Sequence, residues 1–395
     1  MSFLERANAL QDQMTAWRRD IHQHPELGFT EQRTSALVAD TLRGMGIRVQ
    51  TAVGKTGVVG RLGSGTPVVG IRADMDALPI EEANDVAYAS QNPGVMHACG
   101  HDAHTAMLLG VAKMFSDMPE RPFGEIRFLF QPCEEGSVCR DEEGYSGASR
   151  MIQDQAMSEV DAVIALHVAS EAPVGIVVID EGHIHAAVDT FEATIVGEGC
   201  HGAYPHLGVD PIYLLGHVIH AVQGIRSRRL DPTEPSVITI ASVHAGNAPN
   251  VIPQEVELKG TIRSYNEEIR AQIHEELERA LGVSRTLGGD YTLSIIKGSP
   301  ALYNDPGVAS VIREVARETV GGEHTISVGP SMGAEDFAFM TQQAPGAMFF
   351  LGARIADENR PHHSPVFDID EQAFPIGAAI LAETACRLLQ NHAAE

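Results

Sequence analysis

The feature that most limits how this chain can fold is an alternation of short apolar runs with longer stretches of helical spacing. Gly57 to Leu62 and Pro67 to Ala73 read as β segments, the second nearly all apolar, so that burial on both of its faces is expected. A helix over 102–116, a strand over 125–130, a helix near 146–156 and a strand over 161–168 follow in turn. Strand and helix in alternation build a doubly wound α/β sheet with helices on its faces. Ahead of this region, the spacing of Leu4, Leu10, Met14, Trp17 and Ile21 predicts an amphipathic helix over 4–21, and a second is expected over 34–45. Val49 to Thr51 reads as one more short strand.

The pattern changes after about residue 186. Strand 188–196, helix 209–228, strand 236–244, strand 252–263, helix 266–281 and strand 291–297 give the β-α-β-β-α-β order of a ferredoxin-like unit. Beyond Gly298-Ser299-Pro300 the alternation resumes with a helix over 306–319, a strand over 347–351 and a last helix from Glu371 to about Leu389. The expected architecture is an α/β catalytic domain in two segments, 1–186 and 299–395, interrupted by an inserted α+β domain over 187–298. A length of 395 residues holds both at ordinary domain sizes.

Charge narrows the partners. Lys plus Arg number 28 against 53 Asp plus Glu, a net charge of −25. That balance argues against nucleic acid or an anionic membrane surface, because phosphate binding depends on clustered cations. Met1 to Arg6 reach charge without an apolar stretch of signal-peptide length, and no later run is long enough to span a bilayer, so a cytoplasmic protein is expected. The five cysteines (Cys99, Cys133, Cys139, Cys200, Cys386) are odd in number and scattered, and structural disulfides are not expected. The unusual count is 18 His against a single Trp, and where those His fall carries the functional reading.

His97-Ala98-Cys99-Gly100-His101-Asp102-Ala103-His104 stands where a loop meets a helix. Cys99 and His101 flank a glycine, so a tight turn can aim a thiolate and an imidazole at one point, a donor pair suited to zinc. A nucleophilic Cys99 paired with a His is the rival reading. Gln131-Pro132-Cys133-Glu134-Glu135-Gly136 follows the apolar strand Ile126 to Phe130. Neighbouring residues on a strand point to opposite faces, but Pro132 and Gly136 mark the strand's end. On the resulting bend one carboxylate can bind metal while the other serves as general base; a solvated acidic loop is the alternative. Ala165-Leu166-His167-Val168 puts a His at a strand end, where ligands of open α/β sheets gather. Pro361-His362-His363-Ser364-Pro365 holds two more His in a loop stiffened by proline. Cys, His, Glu, His and His are too many donors for one four-coordinate ion that keeps an open water position, so two ions are expected.

With these motifs in this order the chain resembles the co-catalytic metallopeptidase family of aminoacylases and carboxypeptidases, in the amidohydrolase branch of hippurate hydrolases, N-acyl-amino-acid amidohydrolases and plant auxin-conjugate hydrolases. The resemblance also takes in His24 to Gly28, Arg72 to Pro79, His201 to His206, Asn250 to Pro253, Gly260 to Arg263 and Glu335 to Phe337. It implies a zinc-exopeptidase-like catalytic domain with a lid and dimerisation domain inserted in it. It further implies a dinuclear site with Cys99, His101, Glu135, His167 and His363 as ligands and Glu134 as the base, the family's pattern selecting His363 over His362. His201 is similar to the residue that reaches a substrate carbonyl, usually from the neighbouring subunit, which suits an oxyanion donor. Asn250 and Arg263 are implied holders of the substrate carboxylate.

The activity so implied is hydrolysis of a small N-acyl-amino acid to a carboxylic acid and a free amino acid. The enzyme would be a homodimer with two divalent ions per subunit, zinc or manganese, with nickel or cobalt also permitted by the donors. A carboxypeptidase or dipeptidase of the same family is the alternative, and a non-catalytic metal-containing binding protein is the reading from another class. Three departures from the family stand out. Cys133 takes the place of a usual Ala, and Cys200 that of a usual Gly beside His201. Residues 137–145, Ser-Val-Cys-Arg-Asp-Glu-Glu-Gly-Tyr, replace a short Gly-rich link, and Asp141, Glu142 and Glu143 could bring charge or a ligand towards the metals.

Overall fold

The computed structural model describes residues 1–136, 139–356 and 358–392. The chain forms two compact units, one comprising Met1–Ile184, Tyr303–Gly329 and Asp336–Glu395, the other His185–Leu302 with Pro330–Glu335.

The first unit is an α/β structure built on an eight-stranded mixed sheet in the order Arg48–Val53, Gly57–Ser64, Gly124–Gln131, Val68–Asp74, Ala162–Pro173, Gly346–Arg354, Val177–Val178, Thr325–Ile326. The four middle strands run parallel, so Gln131, Asp74 and the residues after Leu166 all emerge on one side. Every position of Val68–Asp74 and Gly124–Gln131 is buried, including the polar Arg72, Asp74, Glu125, Arg127 and Gln131, as befits strands whose two faces are both covered. The crossover helix His101–Ser116 supplies much of that cover. Met107, Leu108, Leu109 and Phe115 on it are fully buried, each worth about 1.5–3 kcal/mol in apolar burial.

Several elements differ from the sequence reading. The helix expected over 4–21 is two helices, Phe3–Ala9 and Gln11–Gln23, because Leu10 at φ −102° and ψ 3° caps one and starts the other. The apolar spacing runs through the break, and neither Gly nor Pro marks it. The strand from Ala162 continues to Pro173, past the polar Ser170 and Glu171 that close the apolar run, because Gly346–Arg354 still pairs with it. Cys133 and Cys139 form a disulfide, contrary to the expectation of none. The bend after Pro132 turns the chain back and brings their Cα atoms to 5.8 Å, within bridging range. Of the loop 137–145, Ser137 and Val138 lie outside the described residues.

The second unit has an antiparallel sheet in the order Ser236–Ala245, Glu255–Ser264, Ala187–Val196, Asp290–Lys297, with helices Pro211–Arg228 and Glu267–Leu281 on one face. Glu255–Ser264 alternates exposed and buried positions, and its inward Val256, Leu258 and Ile262 join Phe191 and Ile195 under Leu214, Val218, Ile273 and Leu277. Asp210 and Asn266 cap the two helices by accepting backbone N–H bonds. Buried Asp189 receives Arg270 Nε at 2.9 Å and the Gly298 N–H at 3.1 Å, tying the first strand to the second helix. No helix among the described residues is long and apolar enough to cross a membrane.

Candidate metal centre

The site of the first unit is assembled from loops at the carboxyl ends of the parallel strands. Gly100 adopts φ +94° immediately before the helix His101–Ser116, and a Cβ there would lie 2.3 Å from Val168 Cγ2. Only glycine takes both the left-handed backbone and the close approach, and the turn sets Cys99 and His101 on either side of it. Asp102 anchors this corner: it accepts Arg18 Nε at 2.8 Å and the His22 ring at 2.7 Å, all three fully buried. Gly100→Ala is expected to destabilise the fold by about 1–3 kcal/mol, from backbone strain plus overpacking. Urea denaturation would read that loss directly.

His101 and His167 each have one ring nitrogen fixed by the fold. His101 Nδ1 donates to Asp76, 3.0 Å from its carbonyl oxygen and 3.1 Å from Oδ1, while the buried Nε2 has no hydrogen-bond partner. His167 Nδ1 donates to the Val168 carbonyl at 2.7 Å, leaving Nε2 3.5 Å from Cys99 Sγ. His104 uses both nitrogens, Nδ1 to Asp74 Oδ1 at 2.6 Å and Nε2 to the Val168 N–H at 3.0 Å, and so serves as a strut. Burial, with neighbouring His104 and His362, drives His167 well below the ordinary imidazole value and keeps it a neutral donor.

On the bend after Gln131, the Glu135 N–H donates to Asp76 Oδ2 at 3.0 Å. Its Oε1 is 3.0 Å from His363 Nε2 without hydrogen-bond geometry. His363 sits at φ +59°, a left-handed backbone uncommon outside glycine, held by its N–H donating to the Ala98 carbonyl at 2.8 Å. The Cys99 thiol and the Glu135 carboxylate beside it raise the His363 imidazole to about 10. Glu134 Oε1 accepts the Asp336 N–H at 3.2 Å. The Asp336 carboxylate in turn takes Gln131 Nε2 at 2.7 Å and Arg72 Nη2 at 3.2 Å.

The ligand atoms of Cys99, His101 and His167 lie within 4.8 Å of one another, and so do those of Cys99, Glu135 and His363, and of His101, Glu134 and Glu135. The structure thus brings together Cys99, His101, Glu134, Glu135, His167 and His363. Among the described residues His97 belongs to no such group; burial lowers its imidazole to about 4. Burial and the Glu135 charge push the Cys99 thiol up, which works against an unassisted cysteine nucleophile. The acidic residues of the 139–145 stretch are engaged elsewhere. Asp141 pairs with Arg150 and Lys55, Glu142 with Lys55 at 3.0 Å and Glu143 with Arg150 at 3.2 Å.

In the second unit His201 is exposed and pairs with Val251 on two-residue strands, with Asn250 adjacent through its carbonyl, which accepts the Gly202 N–H at 2.8 Å. The Ala203 N–H donates to His201 Nδ1 at 3.0 Å. Arg263 lies on Glu255–Ser264, its guanidinium bonded back to Thr261 and to the Ile262 carbonyl.

Asp76, Asp74, His104 and Asp336 had no role assigned in the sequence reading. The signal for Asp76 is Asp74-Met75-Asp76 at the end of a buried strand. Asp76→Ala is expected to weaken metal binding by 10–100-fold, the usual effect of losing a ligand's orienting partner. Competition with a chelator would measure it.

Thiol, imidazole and carboxylate groups converging at the strand ends of an α/β sheet are the donor set of a metal-dependent hydrolase. The chain belongs to the peptidase family M20/M25/M40, whose profile matches residues 70–387. It is similar to thermostable carboxypeptidase 2 of Saccharolobus solfataricus, 39% identical with 93% of each chain covered. It is 37% identical to the N-acetyl-L-cysteine deacetylase of Bacillus subtilis, over 98% of this chain and 90% of that one. Its fold matches the crystal structure of the Bacillus subtilis YxeP protein, described as a dinuclear metal binding peptidase of the M20 family, with a TM-score of 0.82, 32% identity and coverage of 97% and 99%. The protein is a metal-dependent amidohydrolase.

Proposed function

We propose that the chain hydrolyses the amide bond of N-acyl-amino acids, of hippurate, N-acetyl or related type, releasing a carboxylic acid and a free amino acid. The observation that supports this reading is the convergence of Cys99, His101, Glu135, His167 and His363 beside Glu134. The buried His101 Nε2 and Glu135 Oε1, both without hydrogen-bond partners, fit a site for two divalent ions. Zinc suits the Cys99 thiolate, while the imidazoles and carboxylate also accept manganese, nickel or cobalt. Such ions, when bound, supply the Lewis acidity that polarises an amide carbonyl and lowers the pKa of water towards about 7.

The protein's own groups manage the protons. Glu134 takes a proton from the attacking water and delivers it to the leaving amine, and the Asp336 N–H at 3.2 Å limits rotation of its carboxylate during the transfer. His201, with Nδ1 accepting a backbone N–H, carries its proton on Nε2 and donates it to the oxyanion from the partner copy of a homodimer. Asn250 and Arg263 hold the substrate carboxylate, and the second unit acts as lid and dimerisation domain. The reading includes a cytoplasmic setting with neither nucleic acid nor membrane as partner, in keeping with the net charge of −25.

The likeness to a carboxypeptidase favours a second reading in which a peptide bond is cut. A panel of N-acetyl, N-benzoyl, long-chain acyl and indoleacetyl amino acids with dipeptides, run on protein loaded with each metal, separates the two. Amine release from an acyl class at kcat/KM of about 10⁴ M⁻¹s⁻¹ or above supports the proposal. Release from dipeptides alone selects the carboxypeptidase, and no release from any member sinks both.

A further inference from the structure

We propose that the Cys133–Cys139 pair is a thiol–disulfide exchange site, with a dithiol reductant as co-reactant, whose state sets the turnover of the metal centre. The inference rests on the reading of Glu134 as proton carrier and Glu135 as ligand. The two cysteines are six residues apart, and the ring they close contains both glutamates. The ring therefore constrains the two groups on which the chemistry depends.

Its two ends are held differently. Cys133 is fully buried at φ +44°, its N–H donating to Glu31 Oε1 at 2.9 Å and its carbonyl accepting the Gly147 N–H at 2.9 Å. Cys139 is only partly buried, its N–H donating to the Glu135 carbonyl at 2.9 Å. Cys139 Sγ packs against Gly28, where a Cβ would come within 2.4 Å of the sulfur. The same sulfur is 3.6 Å from Asp76 Oδ2, the oxygen that holds the Glu135 N–H. The bridge thus reaches the carboxylate that orients both His101 and Glu135.

The exchange begins at Cys139, the less buried residue of the pair. A thiolate of the reductant attacks Cys139 Sγ, the S–S bond breaks, and Cys133 leaves and takes up a proton. The reductant's second thiolate then attacks the mixed disulfide, freeing Cys139, which is protonated as the reductant becomes a disulfide. The protein gains two electrons and two protons, and a disulfide oxidant such as oxidised glutathione reverses the step. In the reduced state the ring is open, and the new Cys139 thiol competes with the Glu135 N–H for Asp76 Oδ2. Both glutamates lose their fixed geometry, and turnover falls.

The test uses the metal-loaded enzyme before and after dithiothreitol treatment and anaerobic desalting, with thiols counted in denaturant and bound metal measured. Three thiols are expected before (Cys99, Cys200, Cys386) and five after. At unchanged metal content kcat should fall about 10- to 100-fold, as sub-ångström to ångström displacement of catalytic groups produces, and oxidised glutathione should restore it. Cys139→Ser should stay at the reduced level whatever the treatment, while Cys386→Ser should respond as the parent does. Five thiols that persist after treatment with oxidised glutathione would overturn the proposal. So would a kcat unchanged as the count goes from three to five, or a loss that only tracks lost metal. If Glu134→Gln is inactive while reduction has no effect, this inference alone fails; if Glu134→Gln is active, the reading beneath it fails.

Discussion

Replacing Glu134 with Gln is expected to lower kcat by about 10³-fold, within the range that general acid–base groups contribute, and to leave bound metal unchanged. The substitution keeps the size of the side chain and an oxygen that can accept the Asp336 N–H, so the bend after Gln131 retains its shape. What it removes is the ability to take and return a proton. The proposed ligands Glu135, His101 and Cys99 are untouched, so metal analysis should match the parent, and KM should move far less than kcat. Steady-state kinetics with metal quantification separates this outcome from a loss of metal. Near-parental turnover would remove Glu134 from its assigned role.

His101→Ala is expected to do the opposite, taking metal and activity away together. His101 is fixed at Nδ1 by Asp76, and its other nitrogen is buried without a hydrogen-bond partner. Alanine removes that donor and strands the Asp76 carboxylate, so metal affinity should fall by more than the roughly 100-fold upper end seen for orienting residues. Turnover should fall to background at stoichiometric metal and recover in part at excess. Full activity with full metal occupancy in this variant would take His101 out of the site.

How much of this was legible beforehand differs by kind of residue. The motifs around Cys99 and His101, Glu134 and Glu135, His167, and His362 and His363 stood out as clustered metal-donor types at loops and strand ends. The choice of Glu135 over Glu134 and of His363 over His362 as ligands came from the family resemblance. The doubly wound sheet and the β-α-β-β-α-β insert were legible because strand ends are visible as the limits of apolar runs. Asp76 and Asp336 were not, because each acts across a long sequence separation: the Asp76 carboxylate accepts the Glu135 backbone N–H, and the Asp336 backbone N–H donates to the Glu134 carboxylate. The Cys133–Cys139 bridge was hidden because an odd, scattered set of cysteines counts against pairing, while the decisive fact is a local bend. The helix break at Leu10 and the two-residue strands at Val177–Val178 and Thr325–Ile326 leave no periodic trace at all.

The central claim is that turnover depends on two metal ions held by this cluster, and a titration tests it most directly. Protein stripped by a chelator is given increasing equivalents of zinc or manganese while hydrolysis of N-acetyl- and N-benzoyl-amino acids is followed. The account predicts no turnover without metal and a rate that saturates at two equivalents per chain. Full turnover in stripped protein, abolished by alkylating Cys99, would assign the chemistry to the thiol and contradict the account.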